Sequence, residues 1–272
     1  MDGGVAPGLT VLAGPSKHFK TSFALIMASA YLKRYDDAVL LFYDSEFGSP
    51  QSYFQNFDID TNRVLHSPIT NVEELKFDII SQLEGLDRGD KVVIVIDSIG
   101  NLASKKELED AINEKSVADM SRAKALKGLF RMITPYLNMK DIPLLAVNHT
   151  YKEIGLFPKD VVSGGTGIYY SADNIWILGR QQDKQGTEIK GYHFVINVEK
   201  SRYVREKSKI PISVSWTVVF NVGVVFLILL SLAITLLSPL LVGIVGSIVV
   251  LENYWNQKLE KKIPFRKSSG NQ

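Results

Sequence analysis

A stretch near the amino terminus has the residue types of a phosphate-binding loop. Its residues are Gly14, Pro15, Ser16, Lys17, His18, Phe19, Lys20 and Thr21, with Ser22 following. They lie between an apolar predicted strand at 9–13 and a predicted helix at 21–33, so backbone N–H groups at the positive helix end would face phosphate oxygens. Lys20 is placed to reach the β- and γ-phosphates of a nucleotide, and the Thr21 hydroxyl to bind Mg²⁺. The regular pattern has Gly where this chain has Phe19.

Three further polar groups each follow an apolar predicted strand. Asp97 follows residues 92–96, Glu46 comes shortly after 38–43, and His149 comes shortly after 143–147. Because the carboxyl ends of parallel strands open on one crevice, we expect these side chains beside the phosphate loop.

Each of the three suggests a role in the chemistry of a phosphate. Asp97 would hold the water shell of Mg²⁺, Glu46 would orient or deprotonate the water that attacks the γ-phosphate, and His149 would meet a γ-phosphate oxygen. On these residues alone, an ordinary acid at a strand end, a solvated turn acid and a structural histidine remain open alternatives.

The first 216 residues predict one α/β domain. The strand candidates are short and apolar on both faces, as buried parallel strands are, and amphipathic helical stretches separate them. One of those helices is predicted to begin with a capping box formed by Thr70 and Glu73. Three later strands, at about 172–178, 192–198 and 210–216, follow without obvious helices and predict antiparallel additions to one edge. The expected fold is a mostly parallel sheet with helices on both faces.

Composition excludes several classes of protein. The chain has no cysteine, which excludes disulfide scaffolds, thiol nucleophiles and thiolate metal sites. Since the last 21 residues carry five Lys or Arg against two Asp or Glu, the net charge of +2 leaves the preceding chain slightly acidic. Net charge therefore gives no support for nucleic-acid binding.

Residues 217–251 differ from the rest because they contain no Asp, Glu, Lys or Arg. A single helix of this length would exceed the hydrocarbon core of a bilayer, and Ser238-Pro239 offers a break. We predict a membrane hairpin or re-entrant segment here, followed by a basic polar tail at 252–272 that stays on the cytoplasmic side. A buried core segment of a soluble protein is the alternative, and unselected translation of a rearranged gene is another.

Four strings together resemble the recombinase family that includes RecA and the Rad-type strand-exchange proteins, and within it the branch found in T-even phages. They are Gly-Pro-Ser-Lys-His-Phe-Lys at 14–20, Phe-Tyr-Asp-Ser-Glu-Phe-Gly at 42–48, the stretch from Ile96 to Lys106, and Asn-Val-Glu-Lys-Ser-Arg at 197–202. The resemblance covers about residues 2–216. The phage branch is similar in having an aromatic residue at the position of Phe19.

The resemblance implies a DNA-dependent ATPase with a RecA-like core, using ATP and Mg²⁺ and promoting strand exchange. It implies that Lys20 and Thr21 bind phosphate and Mg²⁺, that Glu46 is the catalytic carboxylate and that Asp97 is the second acid on the metal side. Tyr53 would stack on adenine, and His149 would sense the γ-phosphate. Lys200 and Arg202 would reach into the ATP site of the adjacent subunit.

The resemblance also implies two loops that contact single-stranded DNA. The first, about 104–120, includes Lys105, Lys106 and Met120, although its acidic residues weaken a phosphate-binding role. The second, about 151–167, combines cations, apolar wedges and glycines suited to backbone tracking and insertion between bases, namely Lys152, Ile154, Phe157, Lys159, Gly164 and Gly165.

Two departures from the family pattern affect what is expected of assembly. The family has a segment before the core that docks on the neighbouring subunit, and only 13 residues precede Gly14 here. After Trp216 the family also continues with the sequence of a soluble protein, whereas this chain becomes apolar. The resemblance implies self-association into a helical filament, and both departures fall on the parts of the family pattern that flank the core. The expected location is the cytoplasm, which would be the host's if a phage encodes the chain, with anchoring at 217–251.

Overall fold

The computed structural model describes residues 5–113, 121–153, 160–185 and 187–215. They fall almost wholly within the first of two compact units, Met1–Val214. Strands and helices alternate through most of this part. The strands are β1 Gly8–Gly14, β2 Val39–Asp44, β3 Val64–Pro68, β4 Val92–Asp97, β5 Pro143–Lys152, β6 Asp160–Val162, β7 Asn174–Gln185, β8 Glu188–Ser201 and β9 Lys209–Ser215. The helices are α1 Lys20–Arg34, α2 Gln51–Gln55, α3 Val72–Gly85, α4 Lys105–Ile112, α5 Ser121–Met139 and α6 Thr166–Ser171. One short 3₁₀ turn, Thr61–Arg63, lies between α2 and β3.

One mostly parallel sheet organises these elements. Its strand order is β3-β2-β4-β5-β1-β7-β8-β9, with β6 paired to β5. The first six strands of that order are mutually parallel. In the register Gly14 lies opposite His149, and Asp44 lies opposite Asp97. The strand ends that carry the predicted polar groups therefore share one edge of the sheet.

Both faces of the sheet are buried, which explains the uninterrupted apolar strands. In β4, Ile94 and Ile96 pack on the side covered by α3 and α5, and Val93 and Val95 pack on the side covered by α1. The residues of α3 that meet the sheet follow helical spacing and are at most 1% exposed: Val72, Leu75, Ile79 and Leu83. The α/β fold with helices on both faces is confirmed.

The predicted capping box of α3 is wrong by one residue. The N-cap is Asn71, whose side chain accepts from the Glu74 backbone N–H at 2.8 Å. The Glu74 carboxylate accepts from the backbone N–H of Thr70 at 2.8 Å and from its hydroxyl at 2.7 Å. Glu73 instead accepts from the backbone N–H of Lys105 at 2.8 Å, so it joins α3 to α4.

The first of the three late strands is also corrected. β7 pairs with β1 in parallel, not antiparallel, because β6 and the short helix α6 bring the chain back before β7 begins; β6 runs antiparallel to β5. β8 then returns antiparallel to β7, as predicted. The consequence is that β8 runs from the loop edge of the sheet to the opposite edge.

No helix in the described ranges is long and apolar enough to cross a membrane. The predicted hairpin at 217–251 and the tail at 252–272 lie outside the described residues.

Candidate active site

The loop that follows β1 is held in place by aromatic packing and by close backbone contact. Phe19, the N-cap residue of α1, has a left-handed backbone with φ 64°. Its ring lies 5.1 Å from that of Phe194 on β8 and 5.9 Å from that of Phe23. At Gly14, a Cβ atom would lie 2.9 Å from the Leu178 carbonyl oxygen, so this strand end requires glycine. Phe19 is therefore an anchor for the loop, which offsets the unfavourable backbone conformation of a bulky residue.

Lys20 and Thr21 open α1 and point to the site. The Lys20 side chain is only 7% exposed and donates to the Pro15 carbonyl oxygen at 2.9 Å. Burial lowers the pKa of its ammonium, while the charges of Glu46 and Asp97 favour the protonated form. The Thr21 hydroxyl donates to Asp97 Oδ2 at 2.8 Å. The loop, the helix and the end of β4 thus converge on one point.

Asp97 has the features of a residue that completes its contacts with a cation or its water shell. It is 3% exposed, and its Oδ1 is buried without a hydrogen-bond partner in the described part of the chain. Burial raises its pKa to about 6, and the neighbouring charges of Glu46 and Asp44 act in the same direction. Thr21 and Asp97 together fit Mg²⁺, which keeps several waters and takes few protein ligands. The described residues hold no cluster of three or more acids or histidines suited to a metal.

Glu46 lies among donors from two other strand ends. Its Oε1 accepts from the Ser98 hydroxyl at 2.9 Å and from the Asn101 amide at 3.1 Å. His149 Nε2 lies 3.5 Å from the same oxygen. The carboxylate is thus held by polar contacts while 39% of the side chain stays exposed, which suits a group that must meet water.

The surroundings of His149 orient its ring and favour the neutral imidazole. Burial and the charge of Lys20 lower its pKa, and the Glu46 carboxylate partly opposes them. The ring also packs against the chain after β4, since a Cβ at Gly100 would lie 2.3 Å from its Cδ2. The absence of a side chain at residue 100 therefore makes room for the imidazole.

The turn that carries Glu46 is fixed by Asp44, which is 1% exposed. Asp44 Oδ1 accepts from the backbone N–H groups of Glu46 and Phe47, at 3.0 Å and 2.7 Å. Its Oδ2 lies 3.1 Å from Nε2 of His66 in the middle of β3. The turn geometry is thus set by a buried carboxylate with partners on both oxygens.

Tyr53 stands beside the first turn of α1, where the resemblance places an adenine contact. Its hydroxyl lies 3.3 Å from the Ser22 hydroxyl, and its ring meets Phe57 edge to face at 5.4 Å. The ring is therefore positioned by contacts on two sides.

Lys200 and Arg202 lie away from this site. In the register Lys200 is opposite Ile175, which is opposite Val11 on β1, so the end of β8 lies toward the amino-terminal half of β1. Lys200 Nζ donates to the carbonyl oxygens of Tyr169 and Ala172, at 2.8 Å and 2.7 Å. The two cations therefore face the edge of the sheet opposite the phosphate loop of their own chain.

The predicted DNA contacts are only partly described. Lys105 and Lys106 lie in the first turn of α4, and Lys106 pairs with Asp110 at 3.6 Å. Lys152 at the end of β5 pairs with Asp160 on β6 at 2.9 Å. Gly164 and Gly165 precede α6 with φ of 95° and 76°. Met120, Ile154, Phe157 and Lys159 lie outside the described residues.

Several residues of interest were missed by sequence reasoning. Ser98 and Asn101 contact Glu46, and the signal for them was their place just after the strand that ends in Asp97. An open cleft of about 310 Å³ between α5, α6 and the end of β8 adds further residues beside Arg202 and Gly167, which the sequence had already marked; they are Lys127, Arg131, Thr134, Pro135, Tyr170 and Ser171. No sequence signal marked them, because Lys127 and Arg131 are ordinary exposed positions of an amphipathic helix.

Comparison with known proteins decides the family. Residues 2–225 match the family described as the RecA N-terminal domain. The chain belongs to the RecA family. It is 54% identical over 214 residues to the "Recombination and repair protein" of Enterobacteria phage T4, covering 79% of this chain and 55% of that protein. The resemblance to the T-even phage branch is confirmed.

Cellular members of the RecA family are more distant. The Protein RecA of Aquifex pyrophilus is 26% identical over 204 residues, covering 74% of this chain and 57% of that protein. That of Chloroherpeton thalassium is 27% identical over 228 residues, covering 82% and 60%. The chain thus spans little more than half the length of the curated relatives it matches.

Proposed function

We propose that this chain is the core of an ATP-dependent recombinase that binds single-stranded DNA and promotes homologous strand exchange. The observation that carries the proposal is the convergence of Lys20, Thr21, Asp97 and Glu46 on one edge of the sheet. The phage relative is named a recombination and repair protein, which supports the same reading.

In this proposal each residue of the site has one task in ATP hydrolysis. Backbone N–H groups of residues 14–21 and the Lys20 ammonium bind the phosphates, and Tyr53 stacks on the adenine. Mg²⁺, held through Thr21 and Asp97, neutralises charge on the β- and γ-phosphates. Glu46 orients the attacking water and accepts its proton. His149 contacts the γ-phosphate and reports its loss.

Lys200 and Arg202 act on the ATP of the adjacent subunit. Their position at the far edge of the sheet supports this, because they cannot serve their own loop from there. Two cations supplied in trans neutralise the departing γ-phosphate as an arginine finger does. Hydrolysis then requires assembly, and a filament with ATP at its subunit interfaces meets that requirement.

DNA lies along the loops that precede α5 and α6. Gly164 and Gly165 bring backbone close to a phosphate, and Lys127 and Arg131 add two cations on the neighbouring helix. Lys152, with the other residues named for the two loops, extends this surface. Few base-specific groups are needed, because single-stranded DNA can be bound through its backbone and by stacking.

The experiment is a measurement of ATPase rate with and without single-stranded DNA. We expect DNA to stimulate turnover and Lys20→Ala to abolish it. Lys33→Ala is the matched control, since this lysine lies on the same helix and, among the described residues, makes only an exposed pair with Asp58. ATP binding without turnover would favour the alternative of an impaired nucleotide-binding fragment. Turnover indifferent to DNA would favour the other alternative, a membrane-tethered P-loop ATPase without a DNA role.

For residues 217–251 we propose the membrane hairpin that the apolar sequence predicts, with the ATPase core and the 252–272 tail both cytoplasmic. Cell fractionation tests it, and we expect the full chain to sediment with membranes. Recovery of monodisperse full-length protein without detergent would overturn the hairpin and leave the ATPase proposal intact.

A further inference from the structure

Arg202, which follows β8, is paired with a buried acid. Its Nε lies 2.6 Å from Oδ1 of Asp173. The two side chains differ sharply in exposure, at 63% for Arg202 and 3% for Asp173. A carboxylate this deeply buried is costly unless a cation compensates it, so the pair holds the base of the arginine against the protein.

Asp173 itself is fixed to the central strand of the sheet. Its Oδ2 accepts from the Leu9 backbone N–H at 2.8 Å, and its own backbone N–H donates to the Leu9 carbonyl oxygen at 2.8 Å. Leu9 belongs to β1, the strand that runs directly into the phosphate loop of the same subunit. The anchor of Arg202 is therefore continuous with that loop.

The geometry leaves the outer edge of the guanidinium available. Arginine has five N–H donors, and the contact with Asp173 occupies only the side of Nε. Within the described ranges, no hydrogen bond uses the two terminal nitrogens of Arg202, which lines the open cleft beside α5. Those nitrogens form the fork that binds a phosphate through two parallel hydrogen bonds.

The same short segment also anchors the other cation. Lys200 Nζ is held by the carbonyl oxygens of Tyr169 and Ala172, and Asp173 is the next residue. Residues 169–173 thus set the position of both cations through neighbouring groups.

We propose that Asp173 is a positioning residue that aims the terminal nitrogens of Arg202 at the γ-phosphate bound by the adjacent subunit. The inference rests on the proposed action of Arg202 in trans. It adds that β1 determines the orientation of the Arg202 side chain. A shift of the phosphate loop on nucleotide binding would therefore reach Arg202 through Leu9 and Asp173.

Mixing subunits with complementary defects tests this proposal. Lys20→Ala subunits lack a working ATP site but keep an intact Arg202, whereas Asp173→Asn subunits keep the ATP site and lose the aim. We expect Asp173→Asn alone to lower kcat about 10- to 100-fold with unchanged affinity for ATP, because a small misplacement of a catalytic group has effects of that size. Adding an equal amount of Lys20→Ala subunits should restore about one quarter of the wild-type rate, the fraction of head-to-tail interfaces in a random mixture that combine the two intact halves.

Arg202→Ala subunits, mixed in the same way with Lys20→Ala subunits, test the action in trans separately from the positioning role of Asp173. If Arg202→Ala is not rescued, the action in trans fails. If Arg202→Ala is rescued and Asp173→Asn is not, Asp173 serves its own subunit and the positioning role is overturned. Asp141→Asn is the matched control, since Asp141 pairs with Arg88 at 3.3 Å on an exposed surface and its loss should leave kcat unchanged.

A second variant covers the case in which Asp173→Asn does not fold. Asp173→Glu keeps the charge but moves the carboxylate outward by one methylene, so we expect a lower kcat, unchanged ATP affinity and rescue by Lys20→Ala subunits. A wild-type kcat for Asp173→Glu would overturn the proposal. The ¹⁵Nε NMR signal of Arg202 should shift in either variant and stay in place in Asp141→Asn.

Discussion

The Thr21 hydroxyl donates to Asp97 Oδ2 at 2.8 Å, and this bond joins the start of α1 to the end of β4. The other oxygen of Asp97 is buried with no hydrogen-bond partner among the described residues. A buried carboxylate oxygen in that state is costly for the chain by itself. Asp97 therefore lowers the stability of the chain by itself. A cation and its water shell at the phosphate loop would relieve this destabilisation.

Asp97→Asn should separate stability from function. Because the pKa of Asp97 is about 6 in the folded chain and 3.8 is its reference value, the folded chain binds more protons between these pH values. The contribution of Asp97 to the free energy of unfolding thus falls as pH rises through that window. Without nucleotide, Asp97→Asn should raise the free energy of unfolding at pH 8 by at most about 3 kcal/mol, and by little at pH 4.

The measurement is urea unfolding at the two pH values, together with titration of ATP in the presence and absence of Mg²⁺. We expect the variant to lose most of the Mg²⁺ dependence of ATP binding. If Asp97→Asn raised the free energy of unfolding more at pH 4 than at pH 8, the environment assigned to Asp97 would be contradicted.

His149 should titrate below its reference pKa of 6.5, because burial and Lys20 disfavour the imidazolium. Between that lowered pKa and 6.5 the unfolded chain binds more protons at this residue, so its contribution to the free energy of unfolding rises with pH across the window. Glu46→Gln removes a charge that raises the pKa and should lower it further. NMR titration of the His149 ring in both proteins checks whether its pKa is lower in Glu46→Gln than in the wild type. A higher pKa in Glu46→Gln would refute the prediction.

Gly100→Ala should slow hydrolysis without weakening ATP binding. A methyl group at residue 100 would meet His149 Cδ2 at 2.3 Å and force the ring away from Glu46. We expect kcat to fall by about tenfold or more, since small displacements of catalytic groups have effects of this size.

Gly128→Ala is the control for that substitution. Nothing lies within 4 Å of a Cβ at residue 128 in α5, so alanine should stabilise the helix by about 0.5–1 kcal/mol and leave kcat unchanged. Equal kcat values for the two variants would show that a methyl group at residue 100 does not displace the His149 ring.

Lys127 and Arg131 should contribute two phosphate contacts to DNA binding. Replacing both with alanine should weaken binding to single-stranded DNA of any sequence and reduce the salt dependence of the logarithm of affinity by about 1.4. Lys76→Ala with Arg88→Ala changes net charge equally at a half-buried and an exposed site elsewhere, and this double variant is the control. Equal salt slopes for the two double variants would exclude Lys127 and Arg131 from the DNA surface.

Much of the site was predictable because strand ends carry their polar residues in short strings. Asp97 and Glu46 each follow an apolar run, and a parallel sheet must bring such ends to one edge. The parallel pairing of β7 was missed, since α6 spans only six residues and leaves a weak helical signal. β3 was missed as well, because its burial is incomplete and its sequence lacks an apolar run.

Side chains whose partners lie far away in the sequence could not be predicted from local sequence patterns. Asp173 is one acid before a strand, and its importance depends on Leu9, 164 positions earlier. Asn101 meets Glu46 across 55 positions, and Phe19 finds Phe194 only because β8 folds back beside the loop. Such contacts follow from the tertiary fold and not from local spacing.

Calorimetric titration of Mg²⁺-ATP into the wild-type chain, Lys20→Ala and Glu46→Gln tests the central claim most directly. We expect one site per chain in the wild type, a similar affinity in Glu46→Gln because its carboxylate acts on water, and no measurable binding in Lys20→Ala. Wild-type affinity in Lys20→Ala would contradict the claim that the phosphates bind between Gly14 and Thr21.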